Sequence, residues 1–216
     1  MDTFKPGAYW TPERAEHAAR RMLDVLASPA MQAMMDEASA ASGDPAATVA
    51  AVFAVQKADG HSGPVSAARI RFRRGEARDV PRLVQLIALA NLPPLFIEEF
   101  LPGFAVAEHD GEIVGCGGLE LYGDCGVIRS VVTDERARGL GLGRRISELL
   151  IADAQAFGVS DVYLFTQDAW AFWKHLGFID VPLDRWKQPP RSSWQYQFIA
   201  QHPEFAGEIH TMWRGA

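Results

Sequence analysis

Apolar residues in the first sixty positions recur every three or four residues, which is the spacing of one helix face. Thr11-Pro12, Ser28-Pro29 and Asp44-Pro45 each join a capping residue to a proline. Proline suits the first helical position because the N–H that it lacks would be unpaired there, so each pair indicates a helix start. Three short helices alone bury little apolar surface. We expect this all-helical extension, residues 1–60, to pack on the rest of the chain or on a second copy in a homodimer.

The pattern changes after residues 58–64, whose Gly, Ser and Pro content predicts a linker. Ile70 and Phe72 then alternate with arginines as in a strand, and residues 77–90 have an amphipathic helical pattern. Asp110-Gly111 favours a hairpin turn between two of the apolar runs that follow. The predicted strands are 104–108, 113–121, 126–133, 162–165, 178–181 and 195–199, and the predicted helices are 95–101, 141–157 and 169–176.

This order of elements predicts an α/β fold with a meander in the middle of its sheet. We place the α/β domain at residues 66–203 and a C-terminal tail at 204–216.

Composition excludes several classes of protein. The 216-residue chain is 48% hydrophobic and 22% charged, as globular proteins are, and its net charge of −6 comes without a basic stripe, which argues against nucleic acid as a partner. No apolar run approaches the roughly 20 residues that span a bilayer, and the N-terminus lacks a signal-peptide pattern, so we expect a cytoplasmic protein without membrane contact. Cys116, Cys125 and the six histidines form no ligand pattern, so no metal site is predicted.

Chemistry is indicated first by the segment Arg138-Gly139-Leu140-Gly141-Leu142-Gly143, which joins a predicted strand to a predicted helix. Glycines allow positive φ and close approach, and N–H groups at a helix start bind phosphate. A P-loop would continue with Lys and Ser or Thr, and a Rossmann turn would follow the first strand of a βαβ unit, so both fit poorly. A glycine turn without any ligand is the remaining alternative.

The glycine segment resembles the signature of the GNAT superfamily of acyl-CoA N-acyltransferases, and the resemblance extends over Arg69 to Pro203. The segment 171–178 is similar to the helix that closes the family's CoA site. The resemblance implies a mixed, mainly antiparallel central sheet flanked by helices, with acetyl-CoA as co-substrate. Residues 114–123 with 127–132 resemble, more narrowly, the arsinothricin N-acetyltransferase-like subgroup, whose members are associated with amino-acid-type substrates. Residues 194–198 and His202-Pro203 are similar to that subgroup's end, although the Cys usual before the proline is His202 here.

The resemblance also implies a set of cofactor-binding residues. The backbone of 138–144 would bind the CoA pyrophosphate, and one strand would pair with the pantetheine amides, with a backbone N–H near Val131 facing the thioester oxygen. These residues are Val131, Val132, Thr133, Arg138, Gly139, Gly141, Gly143 and Arg144.

Two polar residues near the middle strands are candidates for the acceptor side of the reaction. Glu120 is the predicted base, since carboxylates in this superfamily often serve beside this turn; Asp124 and Glu98 are weaker candidates. Arg129 lies within an apolar strand, where an unpaired guanidinium is costly, so it should meet an anion. That anion is either the substrate's acidic group, held bidentately, or an internal acid such as Glu120. Ser130 points to the other face and lines the acyl site.

The general acid is the point at which the chain departs from its relatives. Many of them have a tyrosine where this chain has Trp173, which leaves Tyr163, Tyr122 or water to protonate the departing thiolate. We expect an N-acetyltransferase for a small, amino-acid-like amine that attacks directly in a ternary complex. The alternatives are a protein or peptide acetyltransferase and a CoA-binding sensor without catalysis.

Overall fold

A computed structural model describes residues 63–203, 206–207 and 209–216, together with scattered positions between 11 and 36. The strands are β1 (Ile70–Arg74), β2 (Phe104–His109), β3 (Glu112–Tyr122), β4 (Cys125–Thr133), β5 (Asp161–Thr166), β6 (Ile179–Asp180) and β7 (His210–Gly215). The α-helices of the continuously described part are α1 (Val80–Leu89), α2 (Ile97–Phe100), α3 (Leu142–Ala156), α4 (Trp170–His175) and α5 (Trp194–Gln201).

All seven strands form one sheet in the order β1-β2-β3-β4-β5-β7-β6. Only β4 and β5 are parallel, and the long connection between them contains α3. The mixed, mainly antiparallel sheet predicted from the sequence is therefore confirmed. Among the described residues, every helix is too short or too polar to cross a bilayer.

Two predictions about the C-terminal quarter are wrong. Residues 195–199 are helical rather than a strand, because Ser193 caps α5 by accepting a hydrogen bond from the Tyr196 N–H, and the buried residues follow helical spacing. The segment predicted as a tail contains β7, which pairs with β5 along residues 161–166 and lies between β5 and β6.

Helix α3 packs closely on the middle of the sheet. An added Cβ on Gly117 of β3 would lie 2.8 Å from Ile146 Cγ2 and 3.0 Å from Leu150 Cδ1, so any larger residue would push the helix away. Ile146 and Leu150 are fully buried. This contact fixes α3 against β3, and the same Cβ would lie 2.9 Å from Val131 Cγ2 of β4.

A bulge interrupts β4 next to this contact. The β3–β4 register shifts between Cys116 and Gly118, and Ser130 takes a φ of 53°, which is unusual for a residue other than glycine. The β4–β5 pairing extends only from Cys125 to Ile128. Beyond Ile128 the β4–β5 pairing stops, so the backbone edge of β4 on that side has no strand partner among the described residues.

Two of the three predicted helix starts in the N-terminal extension lie among the described residues. Thr11 Oγ1 accepts from the Arg14 N–H at 3.2 Å, and Ser28 Oγ accepts from the Met31 N–H at 3.3 Å, as capping residues do. Met31 is half-buried and packs against the core of the sheet domain. The third start, at 44–45, and most of the predicted linker lie outside the described residues.

Candidate active site

A glycine-rich turn between β4 and α3 forms the first part of the site. Gly139 and Gly141 have φ values of 81° and 75°, in the left-handed region that favours glycine. A Cβ built on either would meet no heavy atom within 4 Å, so the turn borders open space. The first helical bond runs from Arg145 N–H to Gly141 C=O at 3.1 Å, and the N–H groups before it have no partner within the helix. This turn, residues 138–143, is hereafter the cradle; its geometry suits a phosphate or pyrophosphate.

Two arginines flank the cradle at the surface. Arg138 Nη2 lies 3.9 Å from Glu135 Oε1, and Arg144 Nε lies 2.8 Å from Glu148 Oε1. Both arginine side chains are about two-thirds exposed, at 67% and 69%. Exposed pairs of this kind contribute only about 0–1 kcal/mol. A phosphate can therefore compete for both guanidinium groups.

Asp134, which the sequence analysis did not single out, braces the backbone leading into the cradle. Its Oδ1 accepts from the backbone N–H of Arg136 at 3.0 Å and so caps the short turn 135–137. Its Oδ2 accepts from Arg136 at 2.9 Å and from Arg82 of α1 at 2.7 Å. Hydrogen bonding from Arg136 lowers the pKa of Asp134 to about 2. The carboxylate is therefore charged at neutral pH and ties the cradle to α1.

The C-terminal half of β4 offers one backbone edge to the cleft. Val132 pairs with Cys116 and Thr133 with Gly115, both on β3. The other edge of β4 loses β5 after Ile128, so backbone groups of the predicted segment 131–133 on that side face the opening. Extended backbone with an open edge can pair with an amide-bearing ligand as a strand would.

Glu120 and Arg129 are buried together at the same level of the sheet. Arg129 Nη1 donates to Glu120 Oε1 at 2.9 Å, and Tyr122 OH donates to Glu120 Oε2 at 2.8 Å. Glu120 is 0% exposed and Arg129 is 7% exposed. Gly118 of β3 pairs with Arg129, so the alternation along β3 brings 118, 120 and 122 to the face that carries the guanidinium. The sequence leaves two possible anions for Arg129, the substrate's acidic group and an internal acid; in the structure Arg129 pairs with the internal acid Glu120.

Arg129 also holds the segment 93–96 against the sheet. Its Nη1 donates to Leu95 C=O at 2.6 Å and its Nη2 donates to Pro93 C=O at 3.1 Å. Its Nε donates to Ser130 Oγ at 3.2 Å. These bonds with the Glu120 bond occupy four of the five guanidinium N–H groups, as counted over the described residues. A bidentate grip on a substrate would require Arg129 to release a protein acceptor.

An aromatic wall next to Arg129 was missed in the sequence. The Arg129 Cζ lies 5.4 Å from the ring centroid of Trp194 in α5, and Trp194 lies 6.4 Å from the ring of Phe96. The sequence analysis assigns 195–199 to a strand and gives Trp194 no role in the site. The helical signal was present in the Ser193 cap and the apolar spacing from 194 to 199.

The remaining candidates are less well placed for proton transfer. Glu98 is exposed on α2, and exposed Asp124 lies before β4, at the opposite end of that strand from the cradle. Burial raises the pKa of Tyr122 well above its ordinary value, and burial also raises the pKa of Tyr163. Trp173 is buried and packs edge-on against Phe178. An indole is no proton source at neutral pH, so α4 supplies no acid from this position.

Comparison with known families and proteins gives a consistent result. Residues 74–178 match the model of the acetyltransferase (GNAT) family. An amino-acid acetyltransferase of Mycobacterium tuberculosis is 34% identical over 121 residues, which make up 50% of this chain and 68% of that protein. An amino-acid acetyltransferase of Neisseria meningitidis is 23% identical over 135 residues, or 58% of this chain. This chain spans only 31% of the Neisseria protein's length.

Solved structures share the fold. The protein Rv2747 from Mycobacterium tuberculosis, solved with CoA, superposes with a TM-score of 0.55 and 23% identity, covering 67% of this chain and 98% of that one. N-acetylglutamate synthase from Neisseria gonorrhoeae, solved with coenzyme A and N-acetyl-glutamate, gives a TM-score of 0.55 with 20% identity, covering 68% of this chain and 35% of that one.

Proposed function

The chain belongs to the GNAT acetyltransferase family, with acetyl-CoA as the co-substrate, and on that premise we propose that it acetylates the amino group of a small, amino-acid-like substrate by direct attack in a ternary complex. The observation that carries the proposal is the continuity of the open β4 edge with the cradle. The edge ends at Thr133 and the cradle begins five residues later, at Arg138. The acceptor class is supported by the amino-acid acetyltransferases among the relatives.

We infer that the chain binds its cofactor at two places. The N–H groups of the cradle and the guanidinium groups of Arg138 and Arg144 bind the pyrophosphate. The backbone of 131–133 binds the pantetheine amides and aims an N–H near Val131 at the thioester oxygen. Acetyl-CoA supplies the acetyl group as a thioester. An N–H that is fixed in position before the reaction stabilises the negative charge that develops on that oxygen. In other enzymes, removing such a donor lowers kcat by about 10²–10³.

The reaction then needs only a proton acceptor on the side of the amine. The amine nitrogen forms a bond to the carbonyl carbon, the carbon–sulphur bond breaks, and one proton leaves the nitrogen. We propose that Glu120 accepts this proton through a relayed water, because each of its oxygens keeps a second lone pair beyond the bonds to Arg129 and Tyr122. A thiol has a pKa of about 8.5, so the thiolate can leave without an enzyme acid and take a proton from water.

We further propose that Arg129 acts on the acceptor with a single N–H. Its charge is balanced by Glu120, and it also fixes the 93–96 segment and the Ser130 side chain beside the bulge. This arrangement lets it orient an acidic group of the substrate while the protein bonds remain in place. Ser130 then lines the acyl site next to the strained backbone at φ 53°.

An acceptor panel with acetyl-CoA and a thiol-release readout tests the function. The panel contains glutamate, glutamine, other free amino acids, arsinothricin and peptides with a free N-terminus. We expect turnover on at least one amino-acid-type amine and none on peptides. Turnover confined to peptides would establish the protein-directed alternative, and CoA binding without turnover on any amine would establish the sensor.

A further inference from the structure

The first turn of α5 contains polar side-chain atoms that the fold leaves without partners. Gln195 is 8% exposed, and over the described residues neither its Oε1 nor its Nε2 has a hydrogen-bond partner. The Nε1 of the adjacent Trp194, also 8% exposed, is in the same state. Three orphaned atoms on two consecutive residues are therefore concentrated at one place in the structure.

Such orphans are energetically unfavourable unless something else binds them. A buried donor or acceptor without a partner has lost its hydrogen bonds to water and gained none in return, and most buried side-chain polar atoms in proteins are satisfied. Gln197, two residues further along the same helix, shows the ordinary arrangement, since its Nε2 donates to Arg191 C=O at 2.6 Å. Gln195 thus differs from Gln197, whose amide makes a hydrogen bond within the fold.

Trp194, the first of these two residues, lies next to Arg129, on the acceptor side of the site. The Trp194 ring lies 5.4 Å from Arg129 Cζ and 6.4 Å from the Phe96 ring. Arg129 directly precedes Ser130, where β4 bulges, and the β4–β5 pairing has already ended at Ile128. The first turn of α5 therefore stands beside the buried ion pair and the segment 93–96, on the opposite side of the bulge from the cradle.

We propose that Gln195 is a specificity-determining residue that recognises the acceptor, with the Trp194 N–H as a second donor; this inference rests on the proposed function. A carboxamide offers one acceptor and two donors. The complementary ligand carries a hydrogen-bond donor and a carboxylate or carboxamide a few bonds apart, which describes a free amino acid rather than a simple alkylamine. Because these atoms are buried, acceptor binding includes a small rearrangement at the first turn of α5 that exposes them.

Steady-state kinetics of Gln195→Met, which keeps the length of the side chain and removes both polar atoms, test the proposal. We expect the KM for the amino-acid acceptor to rise by about ten- to a hundred-fold, the loss of hydrogen bonds to charged groups. The kcat and the KM for acetyl-CoA should stay within about twofold, and the thermal midpoint should be unchanged or higher, since an unsatisfied amide has been removed.

Gln197→Met is the matched control on the same helix. It removes a hydrogen bond that the fold uses, so it should lower the thermal midpoint and leave the KM for the acceptor unchanged. A Gln195→Met chain that is more stable but has the wild-type acceptor KM would show that Gln195 is only a core residue. A clear loss of stability in Gln195→Met would show that its amide has a partner within the fold. Either result overturns the proposal.

Titration calorimetry separates this inference from the proposed function. If the wild-type chain transfers acetyl to no amine, the proposed function is wrong, and glutamine binding to the chain saturated with CoA decides the inference. Weaker binding by Gln195→Met than by wild type would support it. Equal binding, or no binding by the wild type, would overturn it.

Discussion

Glu120 is shared between two buried donors, and this arrangement separates its possible roles. Arg129 and Tyr122 each occupy one carboxylate oxygen. An amide at this position keeps an acceptor for the guanidinium and loses the negative charge that would attract a proton. The substitution Glu120→Gln therefore tests the base with limited damage to the fold.

We expect Glu120→Gln to lower kcat/KM at pH 7 by about 10²–10⁴, the usual contribution of a general base. The loss should shrink as pH rises, because the free amine then arrives already deprotonated, so the pH–rate profile is the measurement. Tyr122→Phe removes one hydrogen bond to the carboxylate and keeps its charge, so its profile should retain the wild-type shape. Wild-type kcat/KM in Glu120→Gln would exclude the base assignment.

Asp134 provides a pH-dependent test of the brace. Its folded pKa is lowered from 3.8 to about 2, so the stabilisation is fully present above about pH 4 and is lost as pH falls towards 2. That stabilisation is at most about 2.5 kcal/mol. Asp134→Asn should show a flatter fall of thermal midpoint between pH 4 and 2 than the wild type. It should also raise the KM for acetyl-CoA without changing kcat, because the turn that leads into the cradle loosens.

Glu148→Gln is the control for Asp134→Asn, since it breaks an exposed pair beside the same cradle. We expect it to change neither the acid limb of stability nor the KM for acetyl-CoA by more than about twofold, as exposed pairs contribute little. If both substitutions changed the acid limb of stability and the KM for acetyl-CoA equally, Asp134 would have no specific role in bracing the cradle.

For single residues, the sequence shows which side chains require an ionic or hydrogen-bond partner, but it does not identify that partner. An arginine inside an apolar strand must meet an anion, and it does. The identity of that anion depends on the β3–β4 register and on the bulge at Ser130, which brings Glu120 to the same face. Neither the register nor the bulge is encoded in local periodicity. The orphaned amide of Gln195 depends on long-range packing in the same way.

The cradle is the element whose chemistry follows most directly from local sequence. Gly139 and Gly141 have positive φ, a backbone conformation that favours glycine, and the open space beside them leaves room for a ligand. Gly158, after α3, shares both properties, with a φ of 70° and no atom near a built Cβ, yet it lies at the other end of the helix. Substituting Gly141 and Gly158 in turn therefore distinguishes the effect of backbone strain from the effect on cofactor binding.

Gly141→Ala and Gly158→Ala should each destabilise the protein by about 1 kcal/mol, the usual cost of alanine in the left-handed region. Only Gly141→Ala should weaken CoA binding, by about tenfold or more, because it alone distorts the N–H groups of the cradle. Thermal unfolding and the CoA-induced shift of the midpoint measure the two effects. An equal CoA-induced shift in both variants would mean that the cradle does not bind the cofactor.

Element boundaries were predictable where periodicity was long and failed where it was short. The fifteen residues of helix α3 keep a consistent apolar spacing, and the helix begins and ends within one residue of its predicted bounds. The eight residues of α5 contain aromatic residues, which favour strands, and the Ser193 cap resolves the ambiguity in favour of a helix. A short apolar segment can adopt either period until its cap or its neighbour decides.

At the scale of the molecule, the sheet is completed by residues that looked like a tail. The pattern around 210–215 is short and has no clear apolar alternation, so sequence alone gives no reason to connect it with β5. In the fold it pairs with all six residues of β5, buries Met212 completely, and donates from Trp213 Nε1 to Asp161 Oδ1 at 2.7 Å. The last strand therefore covers the edge that β5 would otherwise expose.

Truncation after residue 203 should consequently abolish cooperative folding. The shortened chain would leave β5 as an unpaired apolar edge and β6 without its partner, and exposed edges of that kind promote aggregation. Circular dichroism during heating and size-exclusion chromatography are the measurements. Trp213→Phe is the matched variant, because it keeps an aromatic residue in β7 and removes the bond to Asp161 with part of the ring packing, so it should still unfold cooperatively with a stability loss of about 1–3 kcal/mol. A truncated chain that is monomeric and unfolds cooperatively near the wild-type midpoint would show that β7 is dispensable and that the domain ends where the sequence pattern placed it.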